Sequence, residues 1–91
     1  LSYADDSKTR HRVFVVDDHP LVRSALRDVL SWEPDLEVVG EADSAESALE
    51  PLVELQVDIV LVDFSLPGID GAELIRRLAQ TRPDTPCLMV S

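Results

Sequence analysis

The run Asp58-Ile59-Val60-Leu61-Val62-Asp63, followed by Phe64-Ser65-Leu66-Pro67-Gly68-Ile69-Asp70-Gly71, constrains this chain more than any other stretch. An apolar run that stops at an acid and gives way to a Pro-Gly loop describes a buried strand that delivers a carboxylate, Asp63, to its C-terminal end. In open α/β sheets that edge is where ligands sit. A second apolar run, Val13-Phe14-Val15-Val16, ends in the acids Asp17-Asp18. If the two strands are neighbours, three carboxylates share one crevice. Their mutual repulsion is most simply offset by a hard divalent cation with oxygen ligands, such as Mg²⁺.

The rest of the chain alternates in the same way. Pro20 suits the first turn of a helix, and Val22, Ala25, Leu26, Val29 and Leu30 recur at helical spacing until Trp32-Glu33-Pro34-Asp35 ends the pattern. Trp32 is expected to close that helix end. Leu36–Val39 reads as a second strand closed by Gly40. Asp43 and Glu46 have capping-box spacing ahead of the stripe Ala45, Ala48, Leu49, Leu52 and Val53. Pro51 falls inside that stripe, and an interior proline costs about 3 kcal/mol, so a kink or a restart is expected there. Val57–Val62 is the third strand. Asp70 and Glu73 repeat the capping spacing before Leu74, Ile75, Leu78 and Ala79, Pro83 and Pro86 bracket a turn, and Cys87–Val90 is a fourth strand. The order βαβαβαβ implies a parallel sheet with helices on both faces, joined by right-handed crossovers. Residues 1 to about 11 are aperiodic and read as a flexible tail, and residues 12–91 as one domain.

Charge narrows the function classes. With 8 basic and 18 acidic residues the net charge is −10. That argues against nucleic-acid contact by this segment, which requires a basic stripe, and against docking on anionic membrane. No apolar stretch approaches the roughly 20 residues of a membrane span. The single cysteine, Cys87, has no partner for an internal disulfide, which fits a reducing cytoplasm, and it is expected to be plain core.

Val15-Val16-Asp17-Asp18-His19-Pro20-Leu21-Val22-Arg23, with Val62-Asp63, Pro67-Gly68 and Asp70-Gly71, resembles the receiver domain of bacterial two-component response regulators. The Asp-Asp-His-Pro opening and Val39-Gly40-Glu41-Ala42 resemble in particular the NarL/FixJ type, whose members carry a LuxR-like helix-turn-helix output domain. The resemblance covers residues 12 to 91. It implies a flavodoxin-like doubly wound sheet of strand order 2-1-3-4, incomplete because the last helix-strand-helix is not in the sequence. It also implies that Asp63 is the phosphoacceptor, that Asp18 binds Mg²⁺ directly and Asp17 through a bound water, and that the Ser65 carbonyl is a further metal ligand. Ser91 then matches the switch residue that reaches the phosphoryl group. The implied partners are a histidine kinase, the C-terminal output domain and a second copy in a homodimer. The domain would catalyse its own phosphorylation and dephosphorylation without being a turnover enzyme.

One departure accompanies the match. The family places a lysine at the end of a fifth strand, and the only lysine here is Lys8, in the tail. A parallel strand in the position of the fourth expects neighbours on both sides and cover on both faces. The missing elements are therefore expected either beyond Ser91 or replaced by another chain.

Two other functions compete. A phosphorylation-independent binding module on the same fold is favoured by the absent lysine position and disfavoured by the complete acid set. A Mg²⁺-dependent phosphohydrolase with an aspartyl nucleophile needs a second acid two residues on, where this chain has Ser65. Plain readings cover the remaining candidates. His19 reads as a solvated cap or packing residue, Arg76, Arg77 and Arg82 as a solvated face, Asp43 and Asp70 as helix caps, and Gly68 and Gly71 as turn residues.

Overall fold

The computed structural model describes residues 10–63 and 71–90. Strands β1 (His11–Val16), β2 (Leu36–Ala42), β3 (Ile59–Asp63) and β4 (Cys87–Val90) alternate with helices α1 (Pro20–Ser31), α2 (Ala45–Glu54) and α3 (Gly71–Thr81). The strands form one sheet in the order β2-β1-β3-β4, and every pairing is parallel. The doubly wound arrangement expected from the sequence is therefore present. The crossover from β1 to β2 moves one way along the sheet, and the next two move the other way. With right-handed connections that places α1 on one face and α2 and α3 on the other.

Strand alternation divides the core between these faces. Phe14 and Val16 of β1 and Val60 and Val62 of β3 pack with Ala45, Ala48 and Leu52 of α2 and Leu74 and Leu78 of α3 into one buried cluster. Val13 and Val15 point the other way and are also buried. Helix α1, in contrast, has no buried residue. Its stripe leaves Val22 44% and Val29 51% exposed.

Several local expectations change in the fold. β2 continues through Gly40 to Ala42, with Val38 opposite Val13 but Gly40 opposite Phe14. Val39 is thus an extra residue, a bulge that shifts the register. A Cβ on Gly40 would lie 2.7 Å from the Phe14 ring, so the glycine admits that ring and does not end the strand. Helix α2 is capped by Ser44 and Ser47 in a reciprocal box, not by Asp43 and Glu46. Asp43 instead accepts a hydrogen bond from the Ser47 hydroxyl at 3.1 Å. α2 is helical through Pro51. The carbonyl that loses its partner belongs to the exposed Ser47, where water reaches it, and the fully buried Leu52 beside the proline anchors the turn. Trp32 closes α1 through its backbone N–H, while its ring is 76% exposed. Gly71 is the first residue of α3; Asp70 and Gly68 lie outside the described residues.

Cys87 packs against the core cluster, and burial pushes its thiol up from the ordinary value. Among the described residues no helix is long and apolar enough to cross a membrane.

Candidate functional site

Strands β1 and β3 are adjacent, with Val16 opposite Val62, so the residues that follow them emerge side by side at one sheet edge. Asp63, the last residue of β3, is 5% exposed, and Asp17, the first after β1, is 3% exposed. Asp18 is half-buried. Ligand atoms of Asp17, Asp18, Asp63 and His19 all lie within 4.8 Å of one another. The crevice inferred from the two acid-ended strands is therefore built by the sheet order itself. Ser65 and Ser91 lie outside the described residues, as does Lys8.

Hydrogen bonds fix β1's contribution. The Asp17 N–H donates to the Ala42 carbonyl at 3.0 Å, extending the β1–β2 ladder by one step. Arg23, one turn into α1, donates from Nη1 to the Asp17 carbonyl at 2.6 Å and from Nε to Glu41 Oε1 at 3.0 Å. Arg27 adds a second ion pair to Glu41 at 3.1 Å. These contacts tie the start of α1 to the end of β2 and hold the backbone of the acid pair between them.

The residue that the sequence reading undervalued is His19. It stands at the N-cap of α1 with extended backbone (φ −100°, ψ 109°) and gives the helix no side-chain cap. Its N–H donates to Asp17 Oδ1 at 2.8 Å, and its ring turns into the acids. Nδ1 lies 3.1 Å from Asp17 Oδ1, 2.9 Å from Asp18 Oδ1 and 3.5 Å from Asp63 Oδ2. The hydrogen bond to Asp17, and then the charge of Asp18, hold the imidazole above its ordinary pKa. The available sequence signal was Pro20. A residue before proline is driven to extended backbone, and at the N-cap this directs the side chain back toward the strand end it has just left.

Asp18 Oδ1 supplies the test of whether a cation fits. It is closed to solvent and accepts no hydrogen bond; the nearby His19 nitrogen makes only an ion-pair contact with it. An orphaned buried carboxylate oxygen costs on the order of 1–3 kcal/mol or more. Oxygen donors of this kind suit a hard divalent ion.

Away from this edge, Arg76, Arg77 and Arg82 have partners of their own. Glu73 accepts from Arg76 and Arg77 on the surface of α3, and these contacts, Arg76 first, hold its carboxyl below the ordinary range. Arg82 donates to the Leu55 carbonyl.

The sequence matches the response regulator receiver domain family over residues 13–91, and the chain belongs to that family. It is 45% identical over 80 residues to the response regulator GacA of Pseudomonas viridiflava, which covers 88% of this chain and 37% of that protein. It is 41% identical over 80 residues to the DNA-binding transcriptional activator DevR/DosR of Mycobacterium tuberculosis, again 88% of this chain and 37% of that protein. Among solved structures, the signal receiver domain of the response regulator NarL from Mycobacterium tuberculosis superposes with a TM-score of 0.82 at 38% identity, over 88% of this chain and 64% of that one. The chain thus spans little more than a third of the length of these curated relatives. The resemblance to receiver domains of the NarL/FixJ type holds, as does the incomplete receiver fold.

Proposed function

We propose that this domain accepts a phosphoryl group on Asp63 from a histidine kinase, with Mg²⁺ held by Asp17, Asp18, Asp63 and the Ser65 carbonyl, and so switches a DNA-binding transcriptional output. The observation that carries this reading is the buried Asp63 beside the Asp17–Asp18 pair, with their donor atoms within 4.8 Å. When bound, the divalent ion neutralises charge on the phosphoryl oxygens, which is what this kind of transfer chiefly requires.

The chain's own residues do the rest. An Asp63 carboxylate oxygen attacks phosphorus as the bond to the donor breaks, giving an acyl phosphate. Burial of Asp63 at the strand end limits the positions from which a donor approaches. Arg23 keeps the Asp17 backbone in place through its carbonyl. The new group adds about −1.5 to −2 charge at the sheet edge, and Ser91 donates a hydrogen bond to it as the switch contact. The domain acts on itself only, without turnover of an external substrate. The reading includes a homodimer and a helix-turn-helix domain as partners, and a cytoplasmic location fits the lone, half-buried Cys87.

Intact mass spectrometry of wild type and Asp63→Asn, with and without a small-molecule phosphodonor and Mg²⁺, tests this. One phosphoryl group on wild type alone is the expected result. No addition to the full-length protein would leave the fold as a phosphorylation-independent binding module.

A further inference from the structure

His19 gives its helix no side-chain cap, and its Nδ1 instead meets three carboxylates at once. A ring nitrogen carries one hydrogen at most, and the Nδ1 hydrogen bond goes to Asp17. Yet the same nitrogen also lies 2.9 Å from Asp18 Oδ1 and 3.5 Å from Asp63 Oδ2. The Asp18 oxygen gains no hydrogen bond from this approach. Three carboxylate oxygens from two strands converge on one imidazole nitrogen.

That spacing has a simple chemical counterpart. Neighbouring donors around a six-coordinate ion with bonds of about 2.1 Å stand roughly 3 Å apart. While it carries a proton, the nitrogen makes a charge-assisted hydrogen bond at such distances; once that proton leaves, its 3.1 and 2.9 Å separations from Asp17 and Asp18 are also those of a fellow ligand. Its ring is 59% exposed, so it forms the mouth of the pocket and is not wedged there by packing. The other histidine, His11, begins β1 at the opposite end of the strand.

We propose that His19 is a nitrogen ligand of the cation pocket, which adapts it to divalent transition ions as well as to Mg²⁺. This rests on the reading of Asp17, Asp18 and Asp63 as that pocket. An all-oxygen set suits Mg²⁺, whereas an imidazole favours ions later in the first transition row, such as Co²⁺ and Ni²⁺. Selectivity between the two classes then depends on a residue outside the acid set, placed there by the N-cap geometry of α1.

The test titrates Co²⁺ alone and Mg²⁺ alone into the intact protein by calorimetry, in wild type, His19→Ala, His19→Asn and Asp18→Asn. Both His19 variants are expected to bind Co²⁺ about tenfold or more weakly, the scale of effect that supporting groups have on metal affinity. Their Mg²⁺ affinity should change less than about twofold, since Mg²⁺ is satisfied by oxygen and water. Proton NMR of the Co²⁺-loaded wild type should also show a strongly shifted, exchangeable imidazole N–H signal that both variants lack. Unchanged Co²⁺ affinity in the His19 variants, or tighter Mg²⁺ binding with no loss of Co²⁺, overturns the proposal; in the second case the ring only plugs the pocket. Asp18→Asn separates the two levels. It should weaken both metals, and if it weakens neither, the pocket itself has been wrongly assigned.

Discussion

The two faces of the sheet carry helices with similar patterns and very different burial. On one face α2 and α3 bury Ala45, Ala48, Leu52, Leu74 and Leu78 against Phe14, Val16, Val60 and Val62. On the other, no residue of α1 is fully buried, although Val13 and Val15 of β1 are, and Leu21 and Trp32 are largely in solvent. An amphipathic stripe declares that a helix has a face to cover. It does not say whether the cover lies within the same stretch of chain. α2 and α3 cover each other and the sheet, while among the described residues α1 is the one helix on its side.

The sharpest test of that difference is a pair of substitutions. Leu52→Ala removes a fully buried side chain and should cost about 2–5 kcal/mol in urea unfolding. Val29→Ser on α1 should stay within about 0.5 kcal/mol, as surface changes do. If Val29→Ser costs as much as Leu52→Ala in the full-length protein, something covers the α1 face in solution. Next in size, Gly40→Ala drives a methyl into the Phe14 ring and should cost about 1–3 kcal/mol as overpacking. A thermal melt of Gly40→Ala combined with Phe14→Leu should recover part of that loss.

Ser44→Ala strips the α2 cap from Ser47 N–H and should cost about 1 kcal/mol, read by the same urea titration. The smallest effect belongs to Glu73→Gln on the exposed side of α3. The arginine contacts lower the folded-state pKa of Glu73 below its ordinary 4.5. Its contribution is therefore present above pH 4.5 and fades as pH falls through the depressed folded value. The gap between wild type and variant should be largest near neutrality and close toward acid; a gap that widens toward acid would contradict the sign.

Much of the acid site was legible before the fold was seen. Asp17, Asp18 and Asp63 each end an apolar run, and a carboxylate at a strand terminus is a feature of consecutive residues. His19 was less legible, because its importance comes from the direction of one ring between two strands, and nothing adjacent in sequence fixes that direction except Pro20. Gly40 was misread for a related reason. Its neighbour across the β1–β2 pairing is Phe14, and a bulge at Val39 decides which residues meet. At α2 the spacing pointed to Asp43 with Glu46, whereas the fold uses Ser44 with Ser47, a pair that lacks the acid or amide of the usual box pattern.

Residue order alone determined the alternation of strands and helices, the apolar stripes and the acids at the strand ends, because each depends on neighbours a few positions apart. The tertiary structure decided which stripe is covered, which glycine admits a ring, and that β1 lies beside β3. It also decided that a histidine from the start of α1 completes the acid cluster. Those outcomes depend on contacts between segments tens of residues apart, where register and crossover direction, not local pattern, set which atoms meet.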